Sequence, residues 1–197
     1  AKINSIDTID TAIAYGNSEA LLGELGIQGF KIVTKLPSIP EGTKEIEAWI
    51  KEQITGSLQR LGEATVYGLL SHRPDELLGD KGIKIYQALR DLKDAGYVKK
   101  IGVSIYAPEI LAELTTRYEF DLIQAPLSLI DRRLEESGWL QRLKAKGIEI
   151  HTRSVFLQGL LLMDRLTIPS KFKIWDKIWD KWRDYLMASK LTSLQAC

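Results

Sequence analysis

Apolar residues along this chain change their spacing repeatedly. Short runs rich in Ile, Val, Leu and Thr alternate with longer stretches in which apolar side chains recur every three or four positions. The short runs predict strands near Asn4–Ile9, Phe30–Lys35, Thr65–Ser71, Lys100–Ser104, Leu122–Ala125 and Ile148–Thr152. Each gap between them has room for one helix and two short loops. Asn17-Ser18-Glu19 offers a cap ahead of Ala20, Leu21, Leu22 and Leu25. From Thr43 to Leu61, the residues Ile46, Trp49, Ile50, Ile54, Leu58 and Leu61 follow a helical period behind an acidic first turn. Ile83 to Ala95 stops at Gly96, and Trp139 to Lys146 stops at Gly147, each a residue suited to the position past a helix end. Pro108 opens a further helix at a tolerated position. Phe172 to Leu186 carries Trp175, Trp179, Trp182 and Leu186 at helical spacing, with Lys and Asp between them. This reads as an amphipathic helix packed on the body of the fold; an interfacial or partner-binding helix is the second reading.

Strand–helix alternation implies parallel strands with right-handed helical crossovers. That leaves an open doubly wound sheet or a closed barrel. No G-x-G-x-x-G follows a strand and no P-loop is present. Instead, side chains capable of chemistry follow strand after strand, which favours the barrel. The expected class is therefore α/β, a TIM-type (β/α)8 barrel with about six strand–helix units, forming a single domain over residues 1–197. Because a full barrel takes about 250 residues, one more strand is expected before residue 1 and one after residue 197. The two open sheet edges would then favour self-association.

Composition narrows the partners. The 197 residues are 45% hydrophobic and 27% charged with a formal net charge of +1, so neither nucleic acid nor an anionic membrane is expected as partner. The sole cysteine is Cys197. An internal disulfide is thereby excluded, and a reducing, cytoplasmic location is expected. No apolar run approaches the roughly 18 residues that span a bilayer, and the first residues show no basic-then-apolar signal. With two histidines and one cysteine, a transition-metal site has little support, and none is expected.

At the carboxyl ends of the first three expected strands stand Asp10, Lys35 and His72, with Tyr15 five residues past Asp10. In a parallel barrel those ends share one face, where chemistry is built. Singly, Lys35 reads as a solvated strand-end lysine, Asp10 as a loop cap, Tyr15 as packing and His72 as a turn residue. All of them lying on one spacing pattern weakens those readings together. His151 reads as a satisfied core or rim histidine, and Asp131-Arg132-Arg133 as an ion-pair cluster at a helix start.

Asp10-Thr11-Ala12-x-x-Tyr15-Gly16-x-Ser18-Glu19-x-x-Leu22-Gly23 is similar to the first signature of the aldo-keto reductases. Val33-Thr34-Lys35, Ser71-His72-Arg73-Pro74, Ile101-Gly102-Val103-Ser104, Asp121-Leu122-Ile123-Gln124-Ala125-Pro126 and Gln158-Gly159-Leu160-Leu161 resemble its later signatures, in order. The resemblance implies a catalytic tetrad of Asp10, Tyr15, Lys35 and His72. Tyr15 would give a proton to the developing alkoxide, and Lys35 would lower the phenol's pKa. Asp10 would hold Lys35, and His72 would guide the carbonyl oxygen. It implies NADPH as hydride donor, since no side chain can supply a hydride, and a small carbonyl compound as substrate. Asp10, Ser104, Gln124, Arg153 and Ser154 would form the cofactor side. Arg153 stands where many members place an aromatic ring under the nicotinamide, and Ile105 and Ser128 stand where asparagine is common. The functional expectation is an NADPH-dependent reductase of aldehydes or ketones. The alternative is a shortened, inactive barrel acting as a binding or scaffold subunit.

Overall fold

In the computed structural model, which describes residues 2–197, each expected strand is present: β1 (Thr8–Asp10), β2 (Lys31–Leu36), β3 (Val66–Ser71), β4 (Val98–Ser104), β5 (Leu122–Pro126) and β6 (Glu149–Arg153). They form one six-stranded sheet in chain order, every neighbour parallel. The sheet curls into a partial (β/α)8-type barrel. β2, β3 and β5 are buried along nearly their whole length, whereas β6 is only half-buried. That gradient follows from position, because inner parallel strands are covered on both faces. On the concave face Val33, Leu70 and Leu122 pack together. On the convex face the outward side chains of the strands meet the helices in the main core.

The helices are α1 (Ser18–Leu25), α2 (Ile46–Leu61), α3 (Pro74–Leu78), α4 (Gly82–Asp94), α5 (Leu111–Arg117), α6 (Arg133–Glu136), α7 (Trp139–Ala145), α8 (Asp176–Ser189) and α9 (Ser193–Ala196). Several boundaries differ from the sequence expectation. The first strand starts at Thr8 rather than Asn4, because Lys2–Asn4 form a 3-10 turn and Ser5 adopts a left-handed φ of 58°. Asn17 precedes α1 but makes no capping hydrogen bond through its side chain. Thr43 is not helical; its hydroxyl donates to the Pro40 carbonyl in a turn, and α2 begins at Ile46. Pro108 opens a 3-10 turn, Pro108–Ile110, that leads into α5. Trp175 ends the 3-10 segment Ser170–Trp175, and only from Asp176 does the tryptophan-bearing stretch become α-helical. It packs through buried Trp179, whose indole donates to the Phe172 carbonyl, and Trp182, which donates to Leu161.

Glu19 ties the first units together. It is 2% exposed, and its carboxylate accepts hydrogen bonds from Thr34 on β2 (2.7 Å) and from Ser57 (2.6 Å) and Arg60 (2.7 Å) on α2. A buried carboxylate is tenable only when so paired. The two helices also approach closely: a Cβ at Gly23 would run into the Arg60 carbonyl.

A second polar cluster sits across β3, β4 and β6. Glu149 accepts from the Tyr67 hydroxyl (2.6 Å) and from Lys100, and pairs with His151 Nε2 (2.7 Å). His151 is thus a satisfied histidine, as expected. Burial works against the Glu149 charge, but the hydrogen bonds from Lys100, Tyr67 and His151 hold its pKa down at about 2, well below the ordinary glutamate range. A carboxylate depressed in the folded state stabilises the fold above its unfolded pKa. This contribution is therefore fully present above about pH 5 and is lost as the pH falls from about 4.5 toward 2. In acid-unfolding titrations, Glu149→Gln is expected to flatten the loss of stability across that window. An unchanged slope would remove Glu149 from the acid response.

Candidate active site

The parallel strands bring their carboxyl ends to one rim. Asp10 ends β1, Lys35 lies one residue from the end of β2, His72 follows β3, Ser104 ends β4, and Arg153 ends β6. Tyr15 reaches the rim because the loop after β1 keeps its ladder with β2. Thr11 N–H donates to the Val33 carbonyl (2.9 Å) and Ile13 N–H to the Lys35 carbonyl (3.2 Å). Tyr15 N–H then closes a turn on Ala12 (2.9 Å).

Lys35 is 1% exposed. Its Nζ donates to Asp10 Oδ2 and to the Thr11 carbonyl, each at 2.7 Å, and lies 5.3 Å from the centroid of the Tyr15 ring. The Tyr15 and His72 rings stand edge to face at 6.0 Å between centroids. The structure therefore brings Asp10, Tyr15, Lys35 and His72 together at the carboxyl-end rim of the sheet. Tyr15 is 49% exposed, so the phenol faces the open side of this group.

The electrostatics depart from the sequence expectation at one point. Lys35 was expected to pull the Tyr15 pKa down. Instead burial, the Asp10 carboxylate and Tyr106 raise it, with Arg153 opposing. The physical reason is that the Lys35 ammonium is spent on Asp10 and Thr11. Lys35 itself is shifted down by burial, against the Asp10 hydrogen bond that favours its charge. His72 is shifted down by burial and by the cations Lys35, Arg153 and Arg73, so its neutral form is favoured at pH 7.

On the other side of the pocket, Gln124 Nε2 donates to Asp10 Oδ1 (2.7 Å), and Ser104 Oγ donates to Gln124 Oε1 (3.0 Å). Both residues are buried. Gln124 keeps a second amide hydrogen, and the Ser104 oxygen keeps lone pairs. This donor and acceptor set fits a primary carboxamide such as that of nicotinamide. Ile105 is fully buried in the apolar core, and Ser128 turns its hydroxyl to the Ile130 and Asp131 N–H groups of its own loop. Neither replaces the amide that an asparagine would bring. Arg153 Nη2 donates to the Ile105 carbonyl (2.8 Å), its guanidinium lies 4.6 Å from the Tyr106 ring centroid, and Nε is buried without a partner. Tyr106 had no place in the sequence reading; an aromatic residue two positions past the strand-end Ser104 was its only signal. Ser154 is exposed with φ 61°, and Leu157 and Gln158 also adopt left-handed φ. Ser154 borders an apolar cavity of about 420 Å³ lined also by Ile130, Leu160, Phe172, Trp175 and Trp179. A cavity of about 470 Å³ around Arg90, Lys93 and Tyr118 touches none of the tetrad. Asp131 and Arg133 pair with each other beside α6, as expected of an ion-pair cluster. Among the described residues no group of three acidic, His or Cys side chains is placed to hold a metal, and no helix is long and apolar enough to cross a membrane.

The Aldo/keto reductase family model matches residues 2–191. Similar curated proteins include the uncharacterized oxidoreductase YqkF of Bacillus subtilis, 29% identical over 79% of this chain and 53% of that protein. The NADH-specific methylglyoxal reductase of Escherichia coli is 28% identical over 79% of this chain and 54% of its own length. The chain thus spans about half the length of these relatives. Among solved structures, the holo form of an aldo-keto reductase from Bacillus halodurans superposes with a TM-score of 0.69, at 25% identity over 83% of this chain and 57% of that one. A glycerol dehydrogenase from Gluconobacter oxydans does so with a TM-score of 0.68, at 25% identity over 86% and 56%.

Removing the carboxylate at Asp10 strands the buried Lys35 ammonium. Asp10→Ala is expected to cost about 3 kcal/mol in denaturant unfolding, the low end for a broken buried pair because Asp10 is partly exposed. Asp10→Ala combined with Lys35→Met should recover most of that loss. Additive losses would show that the pair is not what holds Lys35.

Proposed function

This chain belongs to the aldo/keto reductase family, and from that premise we propose that it reduces a small aldehyde or ketone to the alcohol with hydride from NADPH. One observation carries the reading: a half-exposed phenol, Tyr15, is held beside the buried Lys35 ammonium, itself paired with the partly exposed Asp10, and against the His72 ring.

A substrate carbonyl fits with its oxygen toward Tyr15 and His72. A nicotinamide bound there would supply the hydride, which no protein group can. As the carbonyl carbon gains the hydride, the electron pair of the C=O bond moves to oxygen, and Tyr15 gives that oxygen its proton. The raised pKa of Tyr15 keeps the phenol protonated at neutrality, the state an acid needs. The alkoxide is far more basic than a phenolate, so this transfer runs downhill. Neutral His72 can donate a hydrogen bond to the same oxygen and set the angle of approach. Arg153 is the cation that favours the phenolate left behind, while Lys35, held on Asp10, stands behind the ring. Ser104 and Gln124 are the residues that would hold the carboxamide, with Arg153 beside them and Ser154 at the rim. NADPH is the donor we assign on the family resemblance. The NADH-specific relative in E. coli makes NADH the necessary parallel titration.

The test follows loss of reduced-nicotinamide absorbance with a panel of aldehydes and ketones. Wild type should turn over at least one of them, and Tyr15→Phe should lower kcat by roughly 10²–10⁴-fold, the range of a lost general acid. Unchanged turnover in Tyr15→Phe would remove Tyr15 as the acid. Cofactor binding without turnover of any carbonyl would favour the scaffold reading instead.

A further inference from the structure

Arg153 brings a full positive charge into a pocket whose ligand changes charge during the proposed reaction. The guanidinium is fixed on two sides, by the Ile105 carbonyl at 2.8 Å and by the Tyr106 ring at 4.6 Å. Among the described residues no carboxylate forms an ion pair with it. The acids of this region are engaged elsewhere, Asp10 with Lys35 and Gln124, and Asp131 with Arg133. Its Nε is a buried donor without an acceptor. The charge is felt at Tyr15, Lys35 and His72, where it opposes positive charge and favours the phenolate.

We propose that Arg153 makes this site hold the reduced nicotinamide dinucleotide more tightly than the oxidised one. The inference rests on the function proposed above. The reduced ring is uncharged, and the oxidised ring is a pyridinium carrying one positive charge. Any ring placed to pass a hydride to a carbonyl at Tyr15 lies about 3–3.5 Å from that carbon. It is therefore among the side chains that Arg153 already perturbs. The phosphates and riboses are the same in both forms, so their contacts cancel in the ratio of dissociation constants. What remains is the repulsion between guanidinium and pyridinium. For unit charges about 6 Å apart at an effective dielectric of about 40, this is roughly tenfold in affinity. An aromatic ring at position 153 would act with the opposite sign, because its face attracts a cation. The consequence is a site that loads reduced cofactor in the presence of oxidised and releases the spent form readily. The same bias makes the bound couple a weaker hydride donor, so it favours loading and release over the transfer step.

The experiment titrates the full chain separately with NADPH and NADP+, following tryptophan fluorescence, and compares the two dissociation constants. Wild type should favour NADPH by roughly tenfold or more. Arg153→Gln, which keeps a donor for the Ile105 carbonyl but loses the charge, should bring the ratio toward one. Arg153→Lys, which keeps the charge, should preserve most of it. A wild-type ratio at or below one overturns the inference, as does a ratio unchanged in Arg153→Gln, and in both cases the proposed reduction stands. If wild type binds neither form, the proposed function falls and this inference with it.

Discussion

A lysine ammonium at 1% exposure has to be neutralised where it stands, and Asp10 does this for Lys35. The cost of burying an unpaired charge is several kcal/mol, so the position of Asp10 is not free. The same carboxylate accepts from Gln124 on β5, and Gln124 accepts from Ser104 on β4. One side chain thus joins the rim of β1 and β2 to that of β4 and β5, across the mouth of the curled sheet. The side of the site with Tyr15, Lys35 and His72 and the side with Ser104 and Gln124 share this one anchor.

The charges then sort the roles. Tyr15 stays protonated because it is partly buried near a carboxylate, while His72 stays neutral because it is buried among cations. Such opposed environments let neighbouring titratable groups divide the work of proton transfer. Among the described residues Arg153 forms no ion pair with a carboxylate, and its charge is felt at Tyr15, Lys35 and His72.

Much of the fold could be read from residue spacing because inner parallel strands, buried on both faces, are mostly apolar. Val66–Ser71 and Leu122–Pro126 announce themselves in this way. The edge strand β1 is legible too, but not its start, since Ser5 breaks the extended run in a manner that composition does not signal. α2 starts later than its spacing predicts because Thr43 and Glu45 suit a turn as well as a first helical turn. The convergence of Asp10, Lys35 and His72 is legible because they stand at or next to the ends of successive strands, with Tyr15 on the loop after β1. The direction of the Tyr15 shift was not, for it depends on where the Lys35 ammonium points. The stacking of Arg153 on Tyr106 joins residues nearly fifty positions apart and leaves no local pattern to read. Glu19 looked like part of a helix start, yet it is a buried anchor; only its distant partners Thr34, Ser57 and Arg60 reveal that.

The most direct measurement is the fate of the hydride. The full chain is incubated with a reactive aldehyde and NADPH deuterated at the nicotinamide C4, and the alcohol is analysed by mass spectrometry. Hydride transfer in the Tyr15–His72 pocket should place one deuterium on the carbinol carbon of the wild-type product, and Tyr15→Phe should form that labelled alcohol far more slowly. An alcohol without deuterium from cofactor labelled on either face of C4, or no alcohol from any aldehyde while the cofactor is bound, would contradict a reductase working through this site.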